Sequence, residues 1–296
     1  MKKKMGWIGT GVMGGSMAGR LLDAGYDLEI FTRTRSRAES LLQKGAHWNE
    51  SPAELAKNTD ILCMMVGYPA DVREVVFGPN GIIAGWKETD SNNRVLIDFT
   101  TSSPSLAAEI YQAGKEFGFD ALDAPVSGGD IGARNGSLSI MVGGDSEVCE
   151  KMKDLWAILG KNVLLQGPAG SGQHTKMVNQ ILIAGNMVGV CEALLYAEKA
   201  GLDPERVLQS VQSGAAGSWS LSNLAPRILK NDFQPGFYIE HFIKDMGIAL
   251  AECERMQIHL PGLELVHRLY TAVKNRGEGK SGTQALIKEL KALNNL

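Results

Sequence analysis

The sequence predicts an α/β chain in two parts: an N-terminal Rossmann-like doubly wound domain over residues 1–166 and an all-helical domain over 167–296. Three observations carry this. A Gly-x-Gly-x-x-Gly run sits between an apolar stretch and a helical one, within Met5-Gly-Trp-Ile-Gly9-Thr10-Gly11-Val12-Met13-Gly14-Gly15. Strand-like and helix-like segments alternate through about residue 165, as a doubly wound sheet requires. Past Gly167-Pro168 the strand signals largely end.

Each element has a local reason. The apolar run before Gly9 reads as a strand, and Ser16 to Ala24 as a helix closed by Gly25. Tyr26 to Thr32 reads as the second strand, and Ser36 to Lys44 as a helix ended by Gly45. Ser51 is placed to cap the next helix, with Pro52 at its first position, where a missing N–H costs nothing. Ile61 to Val66 and Val95 to Phe99 are nearly unbroken apolar runs, which suit parallel strands buried on both faces. From Gly172 to Ala200 one long, mostly apolar segment without proline predicts a helix that is buried or lies at a subunit interface. Later helices are broken at Gly201-Leu-Asp-Pro204, Pro226, Pro235-Gly236 and Pro261-Gly262.

Composition narrows the function classes. The chain has 296 residues, 44% hydrophobic and 21% charged, with net charge −3. That balance argues against a nucleic acid or an anionic membrane surface as partner. No uninterrupted apolar run approaches the roughly 20 residues of a membrane span. Lys2 to Lys4 could open a secretory signal, but glycines break the segment that follows. Cys63, Cys149, Cys191 and Cys253 are scattered without metal-ligand spacing, so reduced, mostly buried thiols and no metal are expected. A cytoplasmic protein is the expectation.

The glycine run in its strand–turn–helix setting is a dinucleotide-binding fingerprint. Gly9 permits the tight turn, Gly11 lets backbone approach a pyrophosphate, and Gly14 lets the helix pack on the strand. Free N–H groups at the helix start then face the phosphates. After the second strand comes Thr32, where NAD-preferring proteins usually offer a carboxylate, followed by Arg33, Thr34, Arg35, Ser36 and Arg37. Guanidinium groups suit a 2′-phosphate, so NADP is favoured over NAD, with Arg33 and then Thr34 as its contacts.

Three further segments carry chemistry. Ser127-Gly128-Gly129, within Asp123-Ala-Pro-Val-Ser-Gly-Gly-Asp-Ile-Gly-Ala-Arg134, can present a hydroxyl and open backbone N–H groups to a carboxylate, or be a plain tight loop. Gly170-Ser-Gly-Gln-His-Thr-Lys176-Met-Val-Asn179-Gln180 places Lys176, Asn179 and Gln180 at i, i+3 and i+4, on one helix face. A lysine near the start of a buried helix opposes the helix dipole and is costly to desolvate. It is either a snorkelling side chain or an acid/base. Lys244, in Phe242-Ile-Lys-Asp245-Met, could close over a cofactor or form a surface ion pair.

Together these segments resemble the β-hydroxyacid dehydrogenase family, which includes 3-hydroxyisobutyrate dehydrogenase, tartronate semialdehyde reductase and glyoxylate/succinic semialdehyde reductase, and more distantly 6-phosphogluconate dehydrogenase. The resemblance runs from Gly6-Trp-Ile-Gly-Thr-Gly11 to Lys244-Asp245. It implies a Rossmann domain, a helical domain and a small carboxylate substrate, a 3-hydroxyacid or its semialdehyde, while the apolar long helix suggests a homodimer or homotetramer. It also implies Lys176 as the acid/base and Ser127-Gly128-Gly129 as the carboxylate site. Val66, Thr101 and Lys244 fall at cofactor-contacting positions. Several members carry asparagine four residues after the lysine; here Gln180 stands there and Asn179 precedes it, so both are candidates for orienting substrate. The Thr32-Arg33-Thr34 run is similar to the Asn-Arg-Thr of NADP-using members. Gly217-Ser-Trp219-Ser lacks the arginine of the 3-hydroxyisobutyrate branch, which leaves substrate choice open. Alternatives are an imine reductase, whose branch commonly has Asp or Tyr at the lysine position, a 6-phosphogluconate dehydrogenase-like enzyme, and a non-catalytic NADP-binding sensor.

Overall fold

A computed structural model describes residues 4–89 and 93–296. Lys2 and Lys3, which were weighed above as the start of a signal, lie outside the described residues. The chain divides into two compact units between Lys176 and Met177.

The first unit is built on one sheet. Its strands are β1 (Lys4–Ile8), β2 (Asp27–Phe31), β3 (His47–Trp48), β4 (Ile61–Met64), β5 (Val95–Asp98), β6 (Asp120–Asp123), β7 (Val126–Ser127), β8 (Leu138–Gly143) and β9 (Gly160–Gly167). Among the described residues the order is β3-β2-β1-β4-β5-β6-β8-β7, with β9 also paired to β8. The first six strands in that order run parallel, the arrangement of a dinucleotide-binding sheet. Side chains alternate across it. Met5 and Trp7 of β1 join one apolar cluster with Val95 and Ile97, while Ile8 joins the other with Leu62 and Leu96. Both faces are therefore covered, which is why these strands read as continuous apolar runs.

Beyond β6 the sheet turns mixed. β8 runs antiparallel to β6 and β7, and β9 pairs parallel to β8. The strand-helix alternation did not announce this reversal. It arises because β7 is only two residues long and the short helix Gly129–Asn135 returns the chain to the same sheet edge.

Element boundaries differ from expectation in several places, and Pro226, expected to break a helix, lies inside the helix Trp219–Leu229. The first helix spans Val12–Asp23, so it begins inside the glycine run instead of at Ser16. The expected helix Ser36–Lys44 is a 3-10 turn, Arg35–Ala38, followed by a short α-helix, Glu39–Gln43. Ser51 does cap its helix, its side chain accepting from the Glu54 N–H at 3.1 Å, with Pro52 in the first turn. Burial pushes the Cys63 and Cys191 thiols up, so they are poor nucleophiles.

The long helix is Ser171–Lys199. Its first turns are tied to the sheet of the first unit, which is why the units part at Lys176, later in the chain than the expected boundary at 166/167. Among the described residues this one helix is long and apolar enough to cross a membrane, with mean hydropathy 1.5 in its most apolar window. Counting uninterrupted runs missed it, because Asn179, Gln180 and Asn186 break the run while the average stays high.

The second unit is helical apart from an isolated bridge between Tyr238 and Gly282. Met177, Ala184, Met187 and Leu194 of the long helix enter its core with Phe242, Met246, Val266 and Tyr270. The opposite side of the helix keeps Val178, Leu182 and Tyr196 exposed in the single chain.

Candidate active site

The glycine turn forms at the C-terminal end of β1. Gly9 has φ +91°, and a Cβ there would lie 2.2 Å from the Met65 carbonyl oxygen, so no other residue fits. A Cβ on Gly14 would lie 2.1 Å from the Gly9 carbonyl oxygen, which is the close helix–strand approach that the motif provides. Gly11 faces open space and begins the first helix with no side-chain cap. No acidic residue stands in that helix's first turn. Thr10 is buried, and among the described residues its Oγ1 has no hydrogen-bond partner. An uncapped helix start and an orphaned hydroxyl beside an open glycine are the fit expected for a dinucleotide pyrophosphate. Val12, exposed, and the half-buried Met13 line the same turn.

Arg33 lies just past β2. Its guanidinium donates to Asp71, with Nη1 to Oδ1 at 2.8 Å and Nη2 to Oδ2 at 3.4 Å. Thr34 is exposed and precedes the 3-10 turn without a side-chain capping bond. Arg35 sits over the Trp48 ring at 5.1 Å. Arg33 and Arg35 thus have separate surroundings.

Val66 follows β4, and its N–H donates to Thr100 Oγ1 at 3.0 Å. Asp98 Oδ1 in turn accepts from the Thr100 N–H at 2.8 Å. Thr101 follows at the surface of this turn, half-buried. Gln173, fully buried in the long helix, closes the network. Its Oε1 accepts from the Ser102 N–H at 2.9 Å, and its Nε2 donates to the Thr100 carbonyl at 2.7 Å.

Asp123, at the end of β6, holds the start of the long helix. Its carboxylate accepts from the Gly170 N–H at 2.7 Å and the Gln173 N–H at 2.8 Å. Burial raises its pKa above the ordinary carboxylate range, while these backbone N–H groups pull the other way. Lys176, 7% exposed, follows Gln173 by three residues on the same helix. Its Nζ donates to the Val126 carbonyl at 2.8 Å. The next residues are Ser127, then Gly128 and Gly129, whose positive φ angles turn the chain from β7 into its helix. Lys176 and the Ser127-Gly128-Gly129 segment are therefore neighbours in space within the first unit.

The second unit holds the remaining candidates. Gln180 is buried and engaged at both ends of its amide. Nε2 donates to Asp245 Oδ2 at 2.6 Å, and Oε1 accepts from Asn179 Nδ2 at 2.7 Å. Asn179 is the more exposed of the two. Lys244 lies 3.1 Å from Asp245 Oδ1, and both side chains are largely buried, so this is not the surface pair considered above.

Asp123, Gln173, Thr100 and Asp71 were not singled out from the sequence. Asp123 and Gln173 lie inside the quoted segments, and the signal available was Gln173 standing one helical turn before Lys176. Thr100 and Asp71 carried none, because their roles depend on which strands are neighbours.

A glycine turn of the dinucleotide-binding kind on a parallel sheet is the architecture of a nicotinamide-dependent dehydrogenase. Residues 4–167 match the NAD-binding domain of 6-phosphogluconate dehydrogenase, and residues 170–290 match the NAD-binding domain of NADP-dependent 3-hydroxyisobutyrate dehydrogenase. The chain is 57% identical to the uncharacterized oxidoreductase YkwC of Bacillus subtilis, over 97% of this chain and 99% of that one. It is 39% identical to 2-hydroxy-3-oxopropionate reductase of Escherichia coli, over 99% of this chain and 98% of the relative. Its fold matches Mycobacterium tuberculosis 3-hydroxyisobutyrate dehydrogenase with L-serine at TM-score 0.89 and 25% identity, covering 98% of this chain and all of that one. The chain belongs to the β-hydroxyacid dehydrogenase family, and it is a dehydrogenase acting on CH–OH groups.

Proposed function

We propose that this enzyme interconverts a small 3-hydroxyacid and its semialdehyde, prefers NADP to NAD, and uses Lys176 as its acid/base. The observation that supports this reading most strongly is the buried Lys176 ammonium anchored on the Val126 carbonyl, one residue before Ser127.

A bound nicotinamide supplies or accepts the hydride at the reacting carbon. The Ser127 hydroxyl and the Gly128 and Gly129 backbone hold the substrate carboxylate, which fixes the distance from that carboxylate to the carbonyl. Lys176 gives a proton to the carbonyl oxygen in reduction and removes it from the hydroxyl in oxidation. Asn179 or Gln180, whose amides are bonded to each other, orients that oxygen. Gly9 to Gly14 cradle the pyrophosphate, Val66 and Thr101 flank the dinucleotide, and Arg33 with Thr34 takes the 2′-phosphate. Lys244 is the further cofactor contact that the family resemblance implies. The exposed Val178, Leu182 and Tyr196 favour a homodimer or homotetramer that covers them.

The deciding experiment follows NADPH oxidation, with NADH in parallel, on glyoxylate, succinic semialdehyde, methylmalonate semialdehyde and tartronate semialdehyde. Turnover of one acid aldehyde, faster with NADPH and lost in Lys176→Ala, supports the reading. Turnover that survives Lys176→Ala, or equal rates with both cofactors, overturns its finer parts.

A further inference from the structure

Arg33 follows β2, and Asp71 lies in the helix Pro69–Phe77 that follows β4. In the sheet β1 stands between those two strands. Their ion pair therefore spans the C-terminal end of β1, the end from which the Gly9–Gly14 turn leaves. The two partners are held unequally. Asp71 is largely buried, and its Oδ2 also accepts from the Tyr68 N–H at 3.1 Å, closing the start of its helix. Arg33 is 77% exposed and has the carboxylate as its anchor. The carboxylate is the fixed member and the guanidinium the movable one.

We propose that Asp71 is a specificity-determining residue that competes with the adenosine 2′-phosphate for Arg33 and so sets how strongly the enzyme discriminates between NADP and NAD. This rests on the reading that Arg33 takes that phosphate. A phosphate is gripped best by two parallel N–H donors of one guanidinium, and Asp71 engages both terminal nitrogens. To turn the same two-nitrogen end toward the phosphorylated cofactor, Arg33 exchanges at least one of these bonds, and on any approach the incoming dianion meets the negative charge of Asp71. NAD brings no phosphate to this position and does not meet that opposition. Asp71 thus weakens NADP binding selectively, which keeps the preference for NADP moderate where an unopposed arginine would make it strong.

The test is a binding and kinetic comparison of Asp71→Asn, Arg33→Ala and the double variant with NADPH and NADH. Asparagine keeps an oxygen for the Tyr68 N–H and removes the charge, and Asp71→Ser serves as a second uncharged cap should Asp71→Asn lose stability. The expected result is NADPH binding about three- to tenfold tighter in Asp71→Asn, NADH unchanged within about twofold, and no such gain in the Arg33→Ala background. NADPH binding that weakens or stays level, or an equal shift for both cofactors, overturns the proposal. Arg33→Ala separates the two ideas. If it leaves the NADPH-to-NADH ratio unchanged, the phosphate assignment of Arg33 falls and the proposal falls with it. If it lowers the ratio while Asp71→Asn fails to raise it, only the role of Asp71 is refuted.

Discussion

The Lys176 ammonium donates to the Val126 carbonyl at 2.8 Å, fifty residues away in sequence. That bond puts the lysine, which sits on the long helix, against the strand that leads into Ser127-Gly128-Gly129. It fixes the position of the Lys176 Nζ beside that segment.

Replacing Lys176 with alanine should therefore lower turnover by about 10²–10⁴-fold, the contribution of a positioned acid/base. NADPH affinity should stay close to that of the parent enzyme, as measured by fluorescence titration. An equal loss of cofactor binding would place Lys176 in the cofactor cradle and remove it from proton transfer.

Gln173 joins the long helix to the turn after β5 through two hydrogen bonds, and Gln173→Ala leaves the Ser102 N–H and the Thr100 carbonyl buried without partners. The expected cost is about 1–3 kcal/mol for each unsatisfied group. Thermal unfolding should show a clear drop in Tm, and kcat should fall more than KM because Lys176 rides on the same helix. An unchanged Tm would mean that the network contributes no stability.

Gly14→Ala forces a Cβ to within 2.1 Å of the Gly9 carbonyl oxygen, so the turn or the helix must move. Cofactor affinity should fall at least tenfold, while turnover of the variant at saturating cofactor recovers most of the parent rate. Wild-type NADPH binding by this variant would contradict the pyrophosphate assignment.

Burial holds the His241 and His267 imidazoles below the ordinary histidine pKa, and for His241 the Lys244 ammonium adds to the effect. Both favour the neutral form when folded, whereas the unfolded chain takes up protons near pH 6.5. Their contribution is complete above about pH 6.5 and is lost as pH falls from there through their lower folded values. Urea midpoints at pH 7.5 and 5.5 should differ less in His267→Gln than in the parent, and parallel losses would assign the acid sensitivity to other groups.

How much was legible in the sequence follows from how local each feature is. The glycine turn could be read directly, because Gly14 answers to the Gly9 carbonyl within its own strand–turn–helix unit and Gly9 to the positive φ of the turn itself. The apolar runs of β4 and β5 and the Ser51 cap were equally plain, since burial on both faces and a first-turn N–H are sequence-local demands. The helix start at Val12 was misplaced because glycine lowers helix propensity, and only the close packing against Gly9 makes Gly14 acceptable there. The hydrogen bond from Gln180 to Asp245, 65 residues on, had no sequence signal, because it depends on how the helices of the second unit pack.

By itself, then, the sequence determined the α/β sheet, the helical second unit, the dinucleotide turn and the lysine that could carry acid/base chemistry. Tertiary structure decided the antiparallel turn of the sheet beyond β6, the Asp123 and Gln173 bonds that hold the long helix, the anchoring of Lys176 on Val126, and the pairing of Arg33 with Asp71. The division is physical. Propensity, capping and burial patterns act over a few residues and are written in the local chain, whereas a hydrogen bond between strands separated in sequence exists only once the order of the sheet has made them neighbours.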